Sequence, residues 1–157
     1  MRRVAAALLL AASVDAAGAC ALDLLDAPTG APLAHVPLPP ERTFALRYTH
    51  SVSLREVESR YTVRDGSLMQ TAEVFDEHGP GMSTDAGPGE WFETQRDASG
   101  TRFVLHMSRP IPRLVVRLHE RPAFRLVVAG RETDLSRWNG RAIELRPDCA
   151  GGLRAPQ

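Results

Sequence analysis

The chain has 157 residues and 43% hydrophobic content, enough for one buried core and one domain. Its nineteen basic residues, all arginine, balance nineteen acidic ones, so it lacks the cationic excess of a nucleic-acid-binding surface. Twelve prolines, twelve glycines, few aromatics and no long helical stripe point to strands and turns.

Residues 1–19 read as a signal peptide, and 20–157 as a single β-rich domain. Arg2 and Arg3 supply the charged start, Val4 to Ala12 the apolar run, and Ala17-Gly18-Ala19 an A-x-A cleavage site. The apolar run is too short to persist as a bilayer span, so no transmembrane segment is expected in the mature chain. That places the domain in the periplasm or outside the cell. Cys20 follows the cleavage site directly, and Cys149 is the only other cysteine. In an oxidising compartment the two are expected to pair. The alternative is a lipid anchor on Cys20 with Cys149 free, although Ala17 stands where a lipid-modified precursor carries leucine. The chain has no C-x-x-C and no Cys/His zinc spacing, and His35, His50, His78, His106 and His119 are dispersed, so neither metal nor cofactor is expected.

Short strands then alternate with turns. Ala21–Asp26 and Leu33–Leu38 flank Ala27-Pro28-Thr29-Gly30, and Pro37, Pro39 and Pro40 mark the second as an edge or extended connection. Phe44, Leu46, Tyr48, His50, Val52 and Leu54 fall at every second position, and Val57, Ser59, Tyr61 and Val63 repeat the pattern. A hairpin turning at Arg55-Glu56 would set Leu54 opposite Val57, Val52 opposite Ser59 and His50 opposite Tyr61. Asp65-Gly66 leads into a strand at Ser67–Phe75. Residues Asp76–Glu90 have no periodicity and form a loop. Beyond them come Trp91–Gln95, Thr101–Met107, Leu114–His119, Phe124–Ala129 and Ala142–Leu145, with turns at Ala98-Ser99-Gly100 and Ala129-Gly130 and a short helical turn at Asp134–Trp138. Eight or nine strands predict an all-β fold, an antiparallel sandwich or partly closed barrel.

The predicted hairpin puts an imidazole, a phenol and a hydroxyl on an apolar face. A histidine there most simply serves structure, bonded to a neighbour; a binding role is the sharper alternative. Ser51 points to the opposite face, so His50 and Ser51 make a poor nucleophile–base pair. Glu56 and Glu58 share a face with Arg60, which explains them as a solvated face as readily as an acid–base pair. Backbone N–H groups around Gly79 and Gly81 could cradle an anion, without the lysine and helix of a phosphate loop. His50, Tyr61 and Glu58 are expected beside the Gly79–Ser83 loop as one end of a site for a small polar or anionic ligand. Strict alternation puts Glu58 on the other face, from which it reaches such a site only at a sheet rim or through a bulge.

The run Tyr48-Thr49-His50-Ser51-Val52, followed by Val57, Glu58 and Tyr61 and then Gly79-Pro80-Gly81, resembles a family of small exported bacterial proteins, domain of unknown function eighteen-fifty. Members are typically encoded beside TRAP transporters of the TAXI type, carriers of organic acids. The resemblance implies an exported accessory or binding domain whose partner is a transporter component or a small ligand, with His50, Ser51, Glu58, Tyr61, Gly79 and Gly81 as binding candidates and no assigned catalytic residue. Two other readings stand beside it: a periplasmic hydrolase using His50, Glu58 and a group from Gly79–Ser83, and a purely structural envelope domain.

Overall fold

The computed structural model describes residues 19–79, 81–98, 100–120 and 123–149. The predicted leader lies outside them apart from Ala19, as do Pro80 and Ser99. Eleven strands run in chain order: β1 Cys20–Asp26, β2 Pro32–Pro37, β3 Thr43–Thr49, β4 Glu56–Arg64, β5 Ser67–Phe75, β6 Trp91–Asp97, β7 Gly100–Ile111, β8 Leu114–Arg117, β9 Phe124–Val128, β10 Arg131–Asp134 and β11 Ala142–Cys149. The predicted helical turn is a short 3-10 turn at Ser136–Trp138.

The strands form a four-stranded sheet, β2-β1-β11-β8, and a seven-stranded sheet, β10-β9-β3-β4-β5-β7-β6, with antiparallel pairing throughout. Neither closes, so the fold is a β-sandwich and not a barrel. Leu22, Leu24, Ile143 and Leu145 of the small sheet meet Phe44, Leu46, Tyr61, Val63, Leu68 and Leu126 of the large one in the main core. Burying such side chains contributes about 1.5–3 kcal/mol each, against the entropy of ordering the chain. Cys20 and Cys149 are directly opposed on β1 and β11 and joined by a disulfide. The thioether of a lipid anchor needs the same sulfur, so this bond and the lipidated alternative exclude each other.

Two of the tight turns follow their sequence signals. Asp65-Gly66 has φ of 50° and 75°, and Ala129-Gly130 has 48° and 75°, the paired positive values that a two-residue hairpin needs to match strand twist. The β3–β4 hairpin departs from expectation. Its register pairs Thr49 with Glu56, Tyr48 with Val57 and Phe44 with Tyr61. Arg55-Glu56 lacks the glycine or asparagine of a two-residue turn, and the chain instead closes a wider loop over residues 51–54. His50 N–H donates to Arg55 O at 2.7 Å, and Leu54 N–H to His50 O at 2.9 Å, with Leu54 at φ 57°. The pairing slips by six residues from the predicted one. Because six is even, every side chain keeps its predicted face while changing its neighbour. Val52 and Leu54, expected inside, stand 64% and 72% exposed at the tip.

Candidate functional site

The large sheet's inner face carries two apolar zones. One is the main core under the small sheet. The other, Val57, Phe75 and Met82 with Tyr48, Phe92 and Phe103, is roofed by the 76–90 loop through Met82. His78 of the same loop packs against Phe75, Phe92 and Phe103 and bonds Ser83 O at 3.3 Å.

A polar group sits at the junction of the two zones. Ser59 on β4 lies opposite Leu46 on β3 and Glu73 on β5. Thr71 is an extra residue on β5, where Arg60 pairs with Ala72 and Tyr61 with Gln70. This bulge changes the parity of the strand, so Leu68, Gln70, Glu73 and Phe75 share the inner face. The Tyr48 phenol lies near both Ser59 and Glu73, and the Tyr61 phenol near Ser59. Tyr61 stacks on Phe44 with ring centres 5.0 Å apart.

Burial pushes the Glu73 carboxyl above its usual range, outweighing chiefly the opposing influence of Arg109. Burial, then the neighbouring Glu73, lifts the Tyr48 phenol to about 12. Tyr61 is raised for the same first reason. Arg109 does not bond Glu73: its guanidinium forks onto Glu90 at 2.5 and 2.7 Å, and Glu90 also accepts from Gly87 N–H at 3.1 Å. Ser59 and Tyr61 are buried, whereas Tyr48, His50 and Glu73 are only half-buried and border solvent. Tyr48 and Glu73 are thus half-exposed on either side of β4, and His50 lies near enough to act electrostatically on the carboxyl.

The residues singled out from the sequence divide into three places. His50 and Ser51 open the β3–β4 turn, where His50 Nδ1 accepts from the N–H groups of Val52 and Ser53 at 3.4 and 3.3 Å. Gly79 lies against this turn, since a Cβ there would meet Ser53 Cβ at 3.6 Å. Gly81, at φ 84°, is third in a turn closed by Met82 N–H to Gly79 O at 3.0 Å, a position that favours glycine. The hairpin turn and the glycine loop therefore meet at Ser53 and Gly79. Tyr61 faces the same side, farther along β4 and inside the core.

Glu58 does not join them. It is opposite Arg47 on the outer face and accepts from Arg47 Nε at 2.5 Å and Arg60 Nε at 2.6 Å. Burial alone would raise its pKa, but bonds from Arg60 and Arg47 prevail and hold it low. Arg47 also reaches Glu132, and Arg125 pairs with Glu56. A depression of about 190 Å³ in this lattice is lined by Arg47, Glu56, Glu58, Arg60, Val74 and Asp76 among others. Neither rim nor bulge carries Glu58 to the inner cluster, because the bulge lies on β5.

Glu73 and Arg109 were not legible as site residues. The sequence Ser67–Phe75 alternates cleanly in neither parity, and only the Thr71 bulge turns Glu73 inward. Asp23, His35 and Asp148, distant in sequence, also gather on the small sheet.

No characterised protein and no solved structure shows a significant match to this chain. Residues 44–135, which run from β3 to the end of the 3-10 approach and include the hairpin, Glu73 and the loop, match the family described as domain of unknown function (DUF1850). This match spans more than half of the chain, which therefore belongs to that family.

Proposed function

We propose that the protein is an exported binding domain that takes a small hydroxylated organic acid on the inner face of its large sheet and works beside a TRAP-type carrier. The observation that carries this reading is Glu73, a half-buried carboxyl of raised pKa on the inner face between two apolar zones, with the Tyr48 phenol nearby. A ligand hydroxyl donates to Glu73. The ligand carboxylate is received by the Nε2–H of His50 and by N–H groups of the loop at Gly79 and Gly81. Arg109 is already neutralised by Glu90, so a simple anion finds no free guanidinium there. That favours a ligand with donors of its own over a bare dicarboxylate or an inorganic ion. The outer-face Glu58 has no part in this contact; its two arginines hold it as a surface ion-pair lattice.

Transport partnership follows from the family's usual neighbours, and periplasmic location from the A-x-A leader and the paired cysteines. The test is calorimetric titration of the mature protein with a panel of hydroxy acids and their deoxy analogues. Binding of the hydroxylated members, weakened at least tenfold by Glu73→Gln, supports the proposal. His50→Asn keeps an acceptor for the turn while removing the imidazole donor, so it should weaken binding without lowering the melting temperature. Equal binding of hydroxy and deoxy acids, or no binding by any, would overturn it. Turnover of an ester or glycoside panel that disappears in His50→Ala would establish the hydrolase reading instead.

A further inference from the structure

The small sheet's outer face brings together donors from three strands. Asp23 on β1 is directly opposite His35 on β2 and bonds its Nδ1 at 2.7 Å. On the other side of Asp23, Arg146 is its partner on β11, and Asp148 is two positions farther along the same face. One donor atom from each of Asp23, His35 and Asp148 lies within 4.8 Å of the others.

Two observations point to a cation. First, two carboxylates on adjoining strands approach one another, an arrangement that like-charge repulsion disfavours. Second, the arginine that could relieve them does not: among the described residues neither carboxylate forms an ion pair with Arg146, and Asp148 has no ion pair at all. The imidazole is the group turned toward the pair.

We propose that Asp23, His35 and Asp148 form a divalent metal site whose best occupant is Zn²⁺. An imidazole nitrogen with two carboxylate oxygens is a donor set that Zn²⁺ accepts, leaving a fourth position for water. Ca²⁺ and Mg²⁺ favour all-oxygen shells and gain little from His35. The three donors stand on paired strands, so little ordering is needed beyond side-chain rotation. Bound metal ties the edge strand β2 to β11 across β1, at the end where Cys20 and Cys149 are bonded.

The experiment is calorimetric titration of ZnCl₂ into the chelator-stripped, untagged mature protein, with MnCl₂ and CaCl₂ in parallel. One equivalent of Zn²⁺ should bind, with affinity falling at least tenfold in both His35→Ala and Asp148→Asn. His35 is exposed and Asp148→Asn conserves shape, so both metal-free variants should melt as the parent does. A Zn²⁺-dependent rise in melting temperature that the variants lack gives a second readout. No Zn²⁺ binding by the parent, binding unchanged in the variants, or Ca²⁺ binding as tight as Zn²⁺ would each overturn the proposal.

Discussion

Removing the disulfide should be among the largest single perturbations available. Cys20 and Cys149 are 129 residues apart in sequence. In the chain-entropy account, opening a loop of that size releases about 5 kcal/mol of restriction on the unfolded state. The folded state changes much less, because β1 and β11 still pair from Cys20↔Cys149 to Asp26↔Ile143. Cys20 is buried in the main core, so the test replaces both cysteines by alanine and avoids a buried hydroxyl. Against a typical domain stability of about 5–15 kcal/mol, the expected loss of about 2–5 kcal/mol leaves a marginal fold. Urea unfolding followed by circular dichroism measures it. The midpoint should fall, and the denaturant slope should rise as the unfolded chain expands. A loss below about 1 kcal/mol would refute the entropic argument. Two thiols titrating in the unreduced protein would refute the bond itself.

Three further outcomes follow from named positions. Leu54→Gly at the hairpin tip should leave stability unchanged or raise it by up to about 1 kcal/mol, read by chemical denaturation, because relief of left-handed strain of about 1–2 kcal/mol outweighs glycine's added unfolded-state entropy. Glu73→Gln should stabilise the fold increasingly as pH rises: a carboxyl of raised folded pKa costs nothing while protonated in both states, and its penalty grows above the unfolded value of 4.5 as pH passes through the folded one. Melting curves of parent and variant that stay parallel from acid to neutral pH would count against that burial. Phe44→Ala should cost about 3–5 kcal/mol by urea unfolding, since the ring is buried and stacked on Tyr61.

The faces of β3 and β4 were legible because alternation depends on nearest neighbours in sequence, and Phe44, Leu46, Tyr48 against Val57, Ser59, Tyr61 is a clean pattern. Their register was not, because it depends on a turn that Arg55-Glu56 does not specify. The chain resolves the ambiguity by placing Leu54 in a left-handed conformation and by letting His50 accept the turn's N–H groups. The strand count fell short for a related reason: β10 is a short polar edge strand with no apolar periodicity of its own, and β2 reads as an edge or an extended connection. Of the candidate site, the sequence singled out the glycine loop and the histidine. The site was hidden at Glu73, where one extra residue in β5 reverses the face on which every later side chain stands.

That reversal separates two glutamates that a motif reading treats alike. Glu58 and Glu73 lie on adjacent strands, Glu73 opposite the residue next to Glu58, yet the sheet stands between their carboxyls. On the outer face Arg47 and Arg60 satisfy Glu58 and keep it ionised, so a ligand competing for it must first displace two short charge-assisted bonds. On the inner face Glu73 has phenols for neighbours, and the nearest guanidinium is committed to Glu90. Its hydrogen-bonding capacity is therefore the less spent of the two, and burial makes each further donor it gains worth more than at the surface. A side chain's electrostatic surroundings, set here by a single bulge, decide which acid is left with hydrogen-bonding capacity to spare. The sequence position within the family stretch does not.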